Sequence, residues 1–311
     1  MIVFYADGSK EKGYGHLYRL LKIYQSYFKD LNVIFIYSNK TQKSFYENNF
    51  LKHTSYKEFL NIDKHIDLLV VDTKEDHIKH ISNIIDRASK KIAIDSLKEW
   101  ISEFDYLIFP SFYFDMSYID QQKITSEILY GEKFCIPPRI SKKEHKFKKI
   151  LVTFGGSDPN DLSSIILEQL NLLGILEETR LIVGPGFQKK KNYFIKKYDG
   201  LSVVGPVKET ISYIRNSEII FTSLGTTVQE VEFLDKFGAI LFNYDTDQDD
   251  FDMIRLKSSN KNRWHSLGSY KKPNLDEIKE ILQSHDNIDN SIESTKEWGS
   301  GWNEFIKQIN I

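Results

Sequence analysis

Ile2-Val3-Phe4-Tyr5-Ala6, then Gly13-Tyr14-Gly15-His16, with Arg19 one helical turn later, is the stretch that decides how this chain is read. The first of these runs is apolar and of strand length. The glycines that follow let the backbone approach a ligand closely before a helix begins. Open α/β sheets bind ligands outside the carboxyl ends of their strands, so a histidine on such a turn projects to where chemistry is placed. His16 is therefore the first candidate for a general base. Its plainer alternative is helix capping or packing against the sheet.

Short apolar runs recur at Val33 to Tyr37, Leu68 to Val71, Ile92 to Ile94 and Tyr106 to Phe109, each after a polar or amphipathic stretch. Strands separated by helix-length segments imply βαβ units and a parallel sheet, and the first half reads as Rossmann-like. Pro137-Pro138 and the lysine-rich Ser141 to Lys149 then look like a linker. The rhythm resumes at Ile150 to Phe154, Leu181 to Val183, Ser202 to Val204, Ile219 to Thr222 and Ala239 to Phe242. We therefore expect an N-terminal domain over 1–145 and a C-terminal domain over 146–311, two doubly wound halves facing across one ligand cleft. The amphipathic stretch Ile292 to Ile309 is expected to be a closing helix that packs back on the N-terminal domain. No repeat of solenoid period occurs.

The length of 311 residues suits two domains, and 41% hydrophobic with 28% charged residues is an ordinary globular balance. A net charge of −2 gives no general attraction for nucleic acid. The lysines of 187–197 are expected in a solvated loop, and no nucleic-acid partner is expected. Cys135 is the sole cysteine, which excludes an intramolecular disulfide and suits a reducing compartment, so cytoplasm is the expected location. No secretory segment is read at the N-terminus, and no run approaches the length of a membrane span.

Three further turns carry candidate chemistry. Phe154-Gly155-Gly156-Ser157-Asp158-Pro159 lies between a strand and the helical stretch Leu162 to Leu173, where bare amides and a positive helix end suit a phosphate. Its simpler use is a tight turn with Asp158 or Asp161 as the helix cap. Thr222-Ser223-Leu224-Gly225-Thr226-Thr227-Val228-Gln229-Glu230 repeats the arrangement, and Glu230 could accept both hydroxyls of a ribose. Capping by Thr226 and Thr227, with Glu230 on the surface, is the alternative there. Phe242 to Asp250 is rich in carboxylates and amides that suit sugar hydroxyls, and Asp249 or Asp250 looks like a helix cap.

Metal chemistry finds little support. The Asp245 to Asp250 carboxylates lack the spacing and glycine of an EF-hand loop. Asp76-His77 with His80 lacks an evident third ligand, so no metal is expected. A P-loop and a Gly-x-Ser-x-Gly nucleophile turn are both missing from the sequence.

Taken in order, Gly13-Tyr14-Gly15-His16 with Arg19, Gly155-Gly156-Ser157-Asp158, Thr226-Thr227 with Glu230, and Gln248 resemble the GT-B nucleotide-sugar enzymes. The nearest resemblance is to the UDP-sugar hydrolase of pseudaminic acid biosynthesis and its spore-coat polysaccharide relatives. The lipid-II-forming N-acetylglucosaminyltransferase is more distant. The similarity spans roughly residues 1 to 260.

This resemblance implies His16 as the catalytic base, with Asp7, Gly13, Gly15, Arg19, Asp72, Asp95, Asp247 and Gln248 on the sugar side. It implies UDP in the C-terminal domain, with Gly155 and Ser223 among the nucleotide-binding positions: uracil near Gly205-Pro206-Val207, diphosphate at Gly156, Ser157 and Gly225 to Thr227, and ribose at Glu230. The chain departs from the hydrolase pattern at Asp247, where Asn is usual, at Thr73, where His is usual, and at Tyr5, where Arg is usual. These departures surround the sugar. The implied activity is inverting cleavage of the anomeric C–O bond of a UDP-linked amino or deoxy sugar, in surface polysaccharide or nonulosonic acid biosynthesis, without metal or other cofactor. Water as nucleophile makes a hydrolase; a saccharide or lipid-linked acceptor hydroxyl makes a glycosyltransferase. A non-catalytic nucleotide-sugar binding protein is the third alternative.

Overall fold

The computed structural model describes residues 1–9, 14–73, 81–95, 101–119, 125–139, 145–207, 209–285 and 297–310. The chain divides into two compact units, Met1–Ile136 with Glu297–Ile311, and Pro137–Lys296.

The first unit holds strands β1 (Ile2–Ala6), β2 (Val33–Tyr37), β3 (His53–Ser55), β4 (Ile66–Asp72), β5 (Ala88–Ile94), β6 (Tyr106–Phe109) and β7 (Glu127–Tyr130). They pair in parallel in the order β3-β2-β1-β4-β5-β6-β7. The chain runs outward from β1 to β3, then returns to β4 and proceeds the other way, so the strand order reverses between β1 and β4. Alternate residues of β1 enter different cores: Ile2, Phe4 and Ala6 pack with Leu17, Leu20 and Leu21 of the Gly15–Ile23 helix, while Val3 and Tyr5 pack with Phe59, Ile84 and Ile85. Burial on both faces is the reason the central strands read as unbroken apolar runs.

The second unit holds β8 (Ile150–Thr153), β9 (Thr179–Ile182), β10 (Ser202–Val204), β11 (Ile219–Thr222), β12 (Phe237–Phe242) and β13 (Trp264–Ser269). Their order is β10-β9-β8-β11-β12-β13, again all parallel, with the reversal between β8 and β11. Strands β3, β7 and β13 were not anticipated from the sequence. All three lie at sheet edges, where a strand has one paired neighbour and needs no continuous apolar run.

The lysine run departs from expectation as well. Lys191–Lys197 is a helix, not a solvated loop, because Phe194 and Tyr198, four residues apart, are both buried and give the segment an apolar face. Lys197 pairs with Glu168, and Lys189 with Asp161, so these two charges are partnered locally.

The final described helix, Ser300–Gln308, belongs to the first unit. Trp302 is fully buried, stacks on Tyr27 at 5.5 Å between ring centroids, and donates its indole N–H to the Phe134 carbonyl at 2.7 Å. Phe305 meets Tyr106 edge-on at 4.9 Å. Residues 292–296 of the anticipated closing helix lie outside the described residues.

Candidate functional site

In the first unit the strand-order reversal brings together side chains from three segments distant in sequence. His16 and Arg19 are three residues apart on the Gly15–Ile23 helix, so they share one face. Asp72 ends β4 and Asp95 directly follows β5. Arg19 donates from Nε to Asp72 Oδ2 and from Nη2 to Asp72 Oδ1, both at 2.7 Å, and from Nη1 to Asp95 Oδ2 at 2.5 Å. His16 Nδ1 lies 2.6 Å from Asp72 Oδ1.

Burial by itself would raise the Asp72 carboxyl, but the Arg19 guanidinium and then His16 outweigh it and hold the group below its ordinary range. Burial likewise opposes charge on Arg19, and Asp72 with Asp95 more than compensates, so the guanidinium keeps its proton. An ionised carboxylate only accepts hydrogen bonds, so the proton of the 2.6 Å contact sits on His16 Nδ1. In the neutral ring Nε2 then carries the lone pair. With its ring 18% exposed, His16 has one nitrogen hydrogen-bonded to a buried carboxylate, and its Nε2 makes no hydrogen bond among the described residues.

The other positions on this side take various roles. Asp95 has φ 57°, a left-handed conformation that aspartate tolerates, and its amide donates to the Ile108 carbonyl. Its side chain is 43% exposed. Asp7 is buried; its amide donates to the Asp72 carbonyl and its Oδ1 accepts from the Gly8 amide at 2.8 Å. Gly15 is the exposed first residue of the helix, and Gly13 lies outside the described residues, as do Asp76, His77 and His80. Tyr5 is buried with its hydroxyl 3.4 Å from Ser38 Oγ, and Thr73 is buried directly after β4.

In the second unit the turns after β8 and β11 flank the corresponding reversal. Gly155, Gly156 and Ser157 follow β8, and Asp158, not Asp161, caps the next helix by accepting from the Leu162 and Ser163 amides at 2.7 and 2.9 Å. Burial raises the Asp158 carboxyl. The Gly156 carbonyl accepts from the Gly186 amide at 2.8 Å, and a Cβ built on Gly184 would lie 2.3 Å from the Gly155 carbonyl oxygen. Gly184-Pro185-Gly186 after β9 thus seats the diglycine turn. That triplet is a visible signal in the sequence for a close backbone approach.

After β11, Gly225 at φ 148° makes a turn that other residues rarely adopt, and the Thr226–Phe233 helix starts directly from it. Ser223 and Thr227 are buried, while Thr226 is exposed. Glu230 is buried too, not a surface residue, and accepts from the Thr210 hydroxyl. Gly205 and Val207 follow β10 and are half-buried.

The turn after β12 is organised by Asp247. Its Oδ2 accepts from the amides of Asn243 and Tyr244 at 2.9 and 3.2 Å, and it begins the Asp247–Lys257 helix. The helix thus starts ahead of Asp249 and Asp250, which sit within its first turn instead of capping it. Gln248 is exposed and donates to Asp252 at 3.0 Å. Asn160 bonds Asn243 at 3.0 Å, tying the β8 turn to the β12 turn, a link between two polar residues that no periodicity signals.

Two parallel sheets with helices between their strands match the GT-B fold of solved glycosyltransferase structures. UGT89C1 of Arabidopsis thaliana, solved with UDP, superposes at TM-score 0.65 with 12% identity over 99% of each chain. The spinosyn rhamnosyltransferase SpnG, solved with spinosyn aglycone, gives 0.64 with 8% identity over 93% of this chain and 92% of the other. The UDP-GlcNAc 2-epimerase of Methanocaldococcus jannaschii gives 0.56 with 11% identity over 99% and 100%. In sequence, the uncharacterized protein MJ1062 of M. jannaschii is 26% identical over 288 residues, covering 83% of this chain and 59% of that protein, so the chain spans about three fifths of this relative. No family model matches. Among the described residues, no helix is long and apolar enough to cross a membrane.

Proposed function

We propose that this protein is a UDP-sugar hydrolase that cleaves the anomeric C–O bond of its substrate with inversion. The observation that carries the reading is the 2.6 Å contact between His16 Nδ1 and the buried Asp72, which leaves Nε2 as a base. Water is the nucleophile. His16 Nε2 takes its proton as the oxygen attacks the anomeric carbon, and Asp72 stabilises the imidazolium that forms. The C–O electron pair leaves with UDP. Amides at the start of the Thr226–Phe233 helix and in the Gly155 to Ser157 turn stabilise the charge that develops on the diphosphate, and Glu230 accepts the ribose hydroxyls. Arg19 spends its fork on Asp72 and Asp95, so its role in this scheme is to fix the carboxylate that orients the base.

A second reading, transfer to an acceptor hydroxyl, draws support from fold neighbours that are a rhamnosyltransferase and a plant protein solved with UDP. The same base then deprotonates the acceptor. Incubating pure protein with a panel of UDP-amino and UDP-deoxy sugars without acceptor separates the two. Free sugar with inverted configuration at catalytic rates supports hydrolysis, and release that requires an added saccharide or lipid-linked acceptor supports transfer. UDP binding without turnover in either setting would leave a binding protein. His16→Ala should abolish turnover with UDP affinity retained.

A further inference from the structure

Three polar and glycine positions on the far side of β1 are unexplained by the chemistry above. The Lys40–Asn48 helix is capped by Asn39, whose Oδ1 accepts from the Gln42 amide at 2.9 Å, while Gln42 Oε1 accepts in return from the Asn39 amide at 3.2 Å and from the Ser38 amide at 2.6 Å. This is a reciprocal cap, and for capping alone nothing more is needed. Both side chains nevertheless turn their remaining donors away from their own helix. Asn39 Nδ2 donates to the Gly8 carbonyl at 3.1 Å, and Gln42 Nε2 donates to the Ala6 carbonyl at 2.9 Å. Gln42 is fully buried to do so, an unusual place for an amide unless each of its atoms is satisfied.

What these bonds hold is the exit of β1. The Asp7 amide, between the two clamped carbonyls, donates to the Asp72 carbonyl at 2.8 Å, so the same short stretch is pinned from the side of β4 as well. Gly8 in turn lies against the helix that carries the base: a Cβ built on it would fall 2.3 Å from Leu17 Cδ1 and 2.6 Å from Leu17 Cγ. Leu17 is buried and adjoins His16 in sequence, so a methyl group on Gly8 would force it to repack on the same turn of helix that holds the imidazole.

We infer that Gly8, Asn39 and Gln42 are positioning residues for His16. The cap of one helix doubles as a clasp on the β1 exit, and the clasped backbone, bare at Gly8, seats Leu17 and so fixes where His16 meets Asp72. This rests on His16 as the base of the proposed reaction, but the geometry it asserts has a readout of its own.

Asn39→Asp separates the clasp from the cap. Aspartate is as good a cap as asparagine, but it cannot donate to the Gly8 carbonyl. The test compares wild type, His16→Ala, Asn39→Asp, Gly8→Ala and the double variant Gly8→Ala/Leu17→Ala in the full chain. Nitrogen-15 spectra assign the His16 Nδ1–H signal by its loss in His16→Ala. Expected is a shifted or exchange-broadened signal in Asn39→Asp and Gly8→Ala, with kcat lowered roughly ten- to a hundredfold and UDP affinity and KM little changed. The double variant, relieved of the clash, should regain the wild-type signal and most of kcat. An unmoved His16 signal in both single variants overturns the inference whatever the activity. A displaced signal with full turnover in His16→Ala would instead overturn the base assignment and leave the clasp standing.

Discussion

Arg19 grips Asp72 through two parallel bonds of 2.7 Å, which fixes the plane of the carboxylate and aims Oδ1 at His16. A planar fork against a buried carboxylate is a geometry that lysine cannot reproduce. The pair thus makes a rigid bracket out of residues from the first helix and the fourth strand.

Replacing Asp72 by Asn should therefore damage both stability and chemistry. The buried guanidinium loses its main counter-charge, which costs about 3–5 kcal/mol when one partner of such a pair is removed. The His16 tautomer is no longer fixed, and kcat should fall about 10²–10⁴-fold. Urea unfolding and steady-state turnover with a cleaved UDP-sugar measure the two effects. Arg19→Lys should fall between wild type and Asp72→Asn in both.

The same pair sets an acid limit. The folded-state pKa of Asp72 lies below its unfolded value of about 3.9, so its contribution is complete above that pH and is lost as pH falls through the folded value. The urea midpoint of wild type should drop steeply below about pH 4. In Asp72→Asn that part of the slope should be missing, and an equal slope in both proteins would contradict the assignment.

Glu230 offers a test confined to the second unit. If its carboxylate accepts the ribose hydroxyls, Glu230→Ala should weaken UDP binding by roughly ten- to a hundredfold, as expected for hydrogen bonds to a charged group worth about 1.5–3 kcal/mol. Calorimetry with 2′,3′-dideoxy-UDP supplies the control, because wild type and variant should then bind alike.

Trp302→Ala empties a fully buried site and orphans the Phe134 carbonyl. The expected destabilisation is about 3–5 kcal/mol, read as a fall in the protection of β1 and β4 amides in hydrogen exchange. Unchanged protection there would mean that the final helix adds little to the first unit.

Much of the fold was legible because central parallel strands bury both faces. Val33 to Tyr37, Tyr106 to Phe109 and Ile219 to Thr222 are written as apolar runs and appear at those bounds. His53–Ser55 was illegible for the opposite reason: an edge strand of polar residues is stabilised by pairing with β2, not by its own composition. The lysines around Phe194 misled because charge is conspicuous in a sequence, whereas two aromatics a turn apart decide whether a helix forms. For the helix cap, Asp158 and Asp161 were equal candidates, since the choice depends on which carboxylate the turn directs at the Leu162 and Ser163 amides.

Apolar runs of strand length announced two parallel sheets, and glycines with a histidine after the first of those runs marked where to look for a site. Those are local properties, set by apolar runs, glycine and spacing over a few residues. Which groups His16 meets is a property of the folded chain. Arg19, Asp72 and Asp95 come from different segments, and the strand-order reversal between β1 and β4 is what puts them in hydrogen-bonding reach. Nor could spacing reveal that the Asn39 cap reaches back to Gly8, because that bond joins the start of one helix to the exit of a neighbouring strand. Hydrogen bonds act over about 3 Å of space, and distance along the chain says little about which groups come that close.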